Sequence, residues 1–362
     1  MSLTLENASR VVDGVPHIDD ANITFEAGSF NVLLGRTLAG KTSLMRLMAG
    51  LDKPDTGRVL VDGRDVTAES VQRRNISMIY QQFINYPNLT VWENIASPLR
   101  LAKMADSEIK RRVQETAAML QIEPLLQRYP LELSGGQQQR TAMARALVKD
   151  ATLVLFDEPL VNLDYKLREE LRTELRELFK ERNCIAVYAT TEANEALALG
   201  GVTTLLHEGR IIQSGPVTSV YRQPTNVTAA ELFSEPPINL IRGRVTDTEI
   251  TFDDYAHHPL TKELSKLQPG DYQFGIRPSH ISLVPQNDDD LELPMTVELG
   301  EISGSETFMH VHNEHFDMVL QLMGVHEYRP DTPIKVYLPI NKLFVFGPDG
   351  DLVHAPYHSS KE

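Results

Sequence analysis

The sequence predicts an α/β domain followed by an all-β domain, and three observations carry that prediction. Gly35–Thr42 fits G-x-x-x-x-G-K-[ST] and lies between a short apolar run and a helical one. Leu153–Phe156 is wholly apolar and ends in Asp157-Glu158, the pattern of a strand buried in a parallel sheet. Beyond Ser234-Glu235-Pro236-Pro237 the pattern changes to short strands bounded by turn residues. At 362 residues the chain is long enough for two domains, predicted as residues 1–237 and 238–362.

The elements follow in order. Leu3–Asn7 and Ala21–Phe25 alternate on either side of Asp13-Gly14, an antiparallel start. Phe30–Leu34 reads as a buried strand, and Ser43–Ala49 as a helix that Gly50 stops. Pro54-Asp55-Thr56-Gly57 and Asp62-Gly63 predict a hairpin over 54–66. Ile76–Tyr80 is a strand ending at Gln81-Gln82. An aromatic-rich stretch from Phe83 to Ile95 leads into helices over 93–122, the second capped at Ser107. Ser134, Gly135 and Gly136 stand just before the helical run Thr141–Leu147. Residues 166–182 form a charged amphipathic helix, Cys184–Thr190 an apolar strand, and Glu192–Leu199 a helix ended by Gly200-Gly201. Residues 202–213 form a hairpin about His207-Glu208-Gly209. The second domain has expected strands at 240–245, 249–253, 271–276, 279–283, 294–302, 306–311, 317–322 and 334–338, a sandwich or small barrel, with Asn287–Asp290 a solvated loop.

Composition narrows the function. A net charge of −15 argues against non-specific nucleic-acid binding, which needs a basic face. The single cysteine, Cys184, excludes an internal disulfide and reads as a small buried strand residue. The first residues carry no signal-peptide pattern, and no stretch reaches the roughly 18 consecutive apolar residues of a membrane span.

The motifs point to phosphate chemistry. In a strand–loop–helix context Gly35, Arg36, Thr37, Leu38, Ala39 and Gly40 form a backbone cradle for a polyphosphate. Lys41 would meet the β- and γ-phosphates, Thr42 would offer its hydroxyl to Mg²⁺, and Ser43 completes the set. Asp157 can hold Mg²⁺ and Glu158 can polarise an attacking water. Ser134-Gly135-Gly136 supplies a second helix N-terminus with free N–H groups, a second anion site by the same physics.

Together these residues resemble the ATPase subunits of ABC transporters, and within them the sugar and polyol importers related to the maltose importer ATPase. The resemblance covers nearly the whole length. Its anchor is Leu133–Gln137, which resembles the family's signature. Gly35–Thr42 matches Walker A, Leu153–Glu158 Walker B, Gln81 the Q-loop glutamine, Asn162-Leu163-Asp164 the D-loop, and Gly275–Ile281 the hallmark of an accessory β-domain. The resemblance implies an ABC ATPase domain with an antiparallel β subdomain and a helical subdomain, followed by an OB-like accessory domain. It implies ATP and Mg²⁺ as cofactors, Glu158 and Gln81 in catalysis, and Thr42, Gln81 and Asp157 about the metal. Two ATPase domains would close head to tail, with Ser134, Gly135, Gly136, Gln137 and Asp164 completing the other chain's site. The implied partners are two transmembrane permease subunits, a second ATPase subunit and, indirectly, an external substrate-binding protein, with no nucleic acid. The implied place is the cytoplasmic face of the inner membrane, peripheral, with a groove about Gln81–Trp92 receiving a permease helix.

Three positions depart from the family. Thr191 stands where a histidine is usual, Val12 where an aromatic residue would stack on adenine, and Leu38 where Walker A has a third glycine. All three act on the chain's own nucleotide, whereas the signature is intact. The expectation is therefore an ATPase subunit of a glycerol-type importer, working as a heterodimer with its own site slow. The alternatives are a homodimeric sugar or glycerol-3-phosphate importer ATPase, and a non-catalytic ATP-binding regulatory module. A nucleic-acid or ribosome ATPase of the same fold fits less well, given one cassette and an acidic balance.

Overall fold

The computed structural model describes residues 1–356 apart from Phe83, Asn162 and Arg182. Those three positions of the aromatic stretch, the D-loop and the charged helix therefore lie outside the described residues. The chain packs as two compact units, Met1–Val217 and Thr218–Glu362.

The first unit is built on a six-stranded sheet in the order Arg210–Pro216, Val202–His207, Phe30–Leu34, Ile185–Thr190, Leu153–Asp157, Ile76–Ile79. All neighbours are parallel except the Arg210–Pro216 hairpin partner. Every residue of Leu153–Asp157 and Ile185–Thr190 is buried, which is why both stretches are largely apolar up to Asp157 and Thr190 at their carboxyl ends. The register sets Leu34 beside Thr190, Asp157 beside Ala189 and Ile79 beside Phe156. The carboxyl ends of four strands are thus level, and the residues that follow them meet at one sheet edge.

A four-stranded antiparallel sheet accompanies it, ordered Val15–Glu26, Ser2–Val12, Thr56–Val61, Arg64–Asp65. One core joins both sheets to the helix Lys41–Ala49 through Leu3, Leu5, Phe25, Leu33, Leu44 and Leu155. The predicted hairpin at 54–66 turns at Asp62-Gly63, but Thr56–Val61 also pairs along the first strand. The helices Val91–Leu101, Asp106–Met119 and Gly135–Leu147 pack on one another. The second of these has Ala105, not Ser107, at its N-cap. Asp106 and Glu108 in its first turn favour the start by charge instead.

The second unit begins at Thr218 rather than at 238. Two helices unseen in the sequence, Val217–Arg222 and Val227–Leu232, explain the shift. Arg277, only 3% exposed, donates to the carbonyls of Tyr221 and Phe233 at 2.8 and 2.7 Å and lies 3.8 Å over the Tyr221 ring. Ala230 packs with Ile238, Phe344 and Phe346. The linker-like prolines at 236–237 are therefore inside this unit. Its strands form two antiparallel sheets, of six and four strands, that share one core. Residues 279–283 are not a strand: Pro278–His280 is a 3-10 turn, and Ser282 makes a single bridge to Tyr337. Ala256–Pro259, Phe344–Phe346 and Leu352–His354 are additional short strands. In the Asn287–Asp290 loop the Asp290 carboxylate collects the backbone N–H groups of Gln286 and Asn287.

Candidate nucleotide-binding site

The loop Gly35–Gly40 leaves the sheet at Leu34 and enters the helix Lys41–Ala49, whose N-cap is Gly40 at φ 103°. No side chain caps that helix, so its first-turn N–H groups are left for a ligand. Leu38 has a left-handed backbone, with φ 67°, and its side chain is 94% exposed. The loop therefore has at this point a conformation that suits glycine.

Lys41 is buried and its ammonium donates to the carbonyls of Gly35 and Arg36 at 2.8 and 3.2 Å. It also lies 3.3 Å from a carboxylate oxygen of Glu158. The other oxygen of Glu158 accepts from the Gln81 amide at 3.1 Å. Glu158 sits at φ 49°, a left-handed conformation rare for a side-chain-bearing residue, directly after the strand end. Thr42 donates its hydroxyl to Asp157 at 2.8 Å. Burial pushes the Asp157 carboxyl up from its usual value, against the hydrogen bond from Thr42; Glu158 adds to the rise and Lys41 opposes it. A divalent cation at this hydroxyl–carboxylate pair would hold the carboxylate ionised. Among the described residues there is no cluster of three or more His, Cys, Asp or Glu able to hold a metal by themselves. One carboxylate and one hydroxyl, completed by phosphate oxygens and water, suit Mg²⁺.

The structure thus brings together Gly35, Lys41, Thr42, Asp157, Glu158 and Gln81. Gln81 joins the cluster through Glu158 rather than through the Thr42–Asp157 pair. Thr191 follows the end of its strand and is exposed; its neighbour Thr190 accepts the N–H of Glu192. Val12 is half-buried at the tip of the first hairpin, opposite Val15.

Ser134–Gln137 belong to a different helix end. Ser134 is the N-cap of Gly135–Leu147, so both glycines lie in the first turn rather than ahead of the helix. The Ser134 hydroxyl accepts from the Gln137 N–H, and the Gln137 amide oxygen accepts from the Ser134 N–H at 3.0 Å, a reciprocal cap. Asp164 caps the helix Tyr165–Glu181 by accepting from the Leu167 N–H. Trp92 is half-buried under Arg100 rather than part of the core. A groove of about 520 Å³ opens nearby, lined by Met78, Tyr86, Leu89, Pro98, Leu101 and Arg145.

One residue at the site escaped sequence reading. The His17 ring lies 3.1 Å from the hydroxyl of Ser43, in the first turn of the phosphate-loop helix. Twenty-six positions separate the two in sequence, and no motif links them.

A family model for ABC transporters matches residues 18–161. The sn-glycerol-3-phosphate import ATP-binding protein UgpC of Paraburkholderia xenovorans is 33% identical over 96% of this chain and 98% of its own. UgpC of Escherichia coli O1:K1 is 35% identical over 96% of this chain and 98% of its own. The Fe(3+) ions import ATP-binding protein FbpC of Photobacterium profundum is 32% identical over 95% of this chain and 97% of its own. Among solved structures, the dimeric structure of MJ0796, a bacterial ABC transporter cassette, aligns with a TM-score of 0.55 at 28% identity, over 59% of this chain and 98% of that one. A second structure of that cassette, in a post-hydrolysis state bound to ADP and Pi, aligns at 0.54. A phosphate loop, a Thr42–Asp157 hydroxyl–carboxylate pair and a Glu158 held by Lys41 and Gln81, on a chain collinear with these import proteins, make it a member of the ATP-binding subunits of ABC importers, the ATPases that drive transport with ATP and Mg²⁺.

Proposed function

We propose that this chain energises an importer of a small polyol of the glycerol type, as one half of an ATPase heterodimer whose own nucleotide site turns over slowly. The observation that carries the reading is the contrast within the chain. Val12, Thr191 and Leu38 alter its own half of the site, while the Ser134–Gln137 cap is intact and turned to its own helix end. Threonine at 191 is shorter than histidine and carries no charge, so it gives a γ-phosphate no cationic neighbour. In this reading Gly35–Ser43 hold the polyphosphate and Thr42 and Asp157 the Mg²⁺, whose charge offsets that of the phosphates. Glu158 orients the attacking water and Gln81 positions Glu158. Ser134, Gly135, Gly136, Gln137 and Asp164 serve the partner's nucleotide. The polyol substrate is supported by the glycerol-3-phosphate import names of near full-length relatives.

No described helix is long and apolar enough to cross a membrane, so two permease subunits would hold the chain at the cytoplasmic face. The groove beside Tyr86 and Leu101, both exposed, is the candidate dock for a permease helix. An external binding protein would deliver the substrate.

A homodimer is the second reading, and one observation favours it. Leu38 keeps the glycine-type backbone, so the loop that grips the phosphates is undamaged. The assembled transporter separates the two. Ser134→Arg removes donors of a kind worth about 3–4 kcal/mol in a transition state and should nearly stop turnover. Under the heterodimer reading Glu158→Gln should reduce turnover only modestly. Equal losses, or a purified transporter holding this ATPase chain alone, would establish the homodimer.

A further inference from the structure

The first hairpin brings a ring to the phosphate loop at a place no motif assigns. Val11 pairs with Pro16 and Arg10 with Ile18, so His17 is the extra residue of a β-bulge. Bulges re-aim side chains, and this one turns the imidazole onto the helix Lys41–Ala49. The approach is close: a Cβ on Gly40 would meet the His17 carbonyl oxygen at 2.5 Å, and one on Gly209 would meet it at 2.9 Å. The backbone alone already ties this corner together. The Asp19 N–H donates to Gly209 at 2.9 Å, and the Gly209 N–H to Ala39 at 3.0 Å. Docking the hairpin therefore does not require the imidazole.

The ring meets Ser43 through Nδ1, at 3.1 Å, and Nε2 has no hydrogen-bond partner among the described residues. Both side chains are partly exposed. A phosphate oxygen is an acceptor only, so Ser43 can bond it only by donating its hydroxyl proton. That proton is free when Nδ1 carries hydrogen and donates to Ser43. If Nδ1 were the acceptor, it would take the proton the phosphate needs.

We infer that His17 is a nucleotide-positioning residue: its Nδ1–H fixes the Ser43 hydroxyl as a donor to a phosphate oxygen of the bound nucleotide. This rests on the phosphate-loop reading of Gly35–Ser43.

The test is calorimetric titration of the purified full-length chain with Mg²⁺ and a non-hydrolysable ATP analogue. His17→Phe keeps a ring and removes the donor; the expected result is about 5–10-fold weaker binding, the scale of one lost hydrogen bond to a charged acceptor. His17→Asn places an amide donor near Nδ1 and should stay within about twofold of the parent. Ser43→Ala should match His17→Phe, and the double variant should be no worse than either single. The unliganded melting temperature should not differ among them. Parent-like affinity in His17→Phe overturns the inference, and so do losses that multiply in the double variant. Lys41→Ala, run alongside, separates the two levels: if it too binds normally the phosphate-loop reading fails, whereas its loss beside an unaffected His17→Phe sinks His17 alone.

Discussion

The two glycine-bearing helix ends of the first unit are built from the same physics and resolved differently. Lys41–Ala49 starts from Gly40, without a side-chain cap, and its lysine is buried among carbonyls and a carboxylate. Gly135–Leu147 starts from an exposed serine locked to Gln137 by a reciprocal cap. The first leaves its donors for a ligand and is flanked by Asp157 and Glu158 from one other strand end and Gln81 from a second. The second stabilises itself, and among the described residues no acid joins the Ser134–Gln137 hydrogen bonds at its exposed start. The difference teaches that a glycine-rich helix start is not by itself a site. What the neighbouring strands deliver to it decides whether chemistry can happen there.

The comparison breaks most visibly at Lys41. Lys41→Ala removes the only lysine of the loop, and MgATP affinity should fall by about 100-fold, the scale of 3 kcal/mol in charge-assisted hydrogen bonds. Equilibrium binding checks this, and an unchanged affinity would remove the distinction between the two ends. Ser134→Ala comes next. It deletes the cap and should cost about 1 kcal/mol of stability, read as a lower denaturant midpoint, while the isolated chain binds its own nucleotide as before. A change in that affinity would mean the two ends are not independent. Leu38→Gly is the smallest. The left-handed leucine costs about 1–2 kcal/mol, and the added freedom of glycine in the unfolded chain takes back about 0.5–1. With no packing lost at an exposed side chain, a net gain near 0.5–1 kcal/mol should raise the melting temperature by about 1–3 °C.

Sequence by itself determined a great deal where the signal is local. The phosphate loop is legible because strand, glycines and helix are contiguous, and Asp157 because only a doubly buried strand is apolar from Leu153 to Phe156. Gly50 and Gly200 end helices at the expected places, since glycine takes a positive φ at little cost. Ser134, Gly135 and Gly136 announce a helix start, though the helix takes in both glycines.

Only the tertiary structure decided the rest, and in each case the partners are far apart in the chain. Glu158 bonds Gln81 seventy-seven positions away, because strand register sets two strand ends level. His17 reaches Ser43 because a one-residue bulge turns it there, and a bulge leaves no mark in hydrophobic periodicity. The unit boundary moved from 238 to 218 because Arg277 draws Tyr221 and Phe233 against the β-rich unit. Prolines at 236–237 looked like a linker because composition reports local stiffness, whereas a boundary is set by where long-range contacts stop.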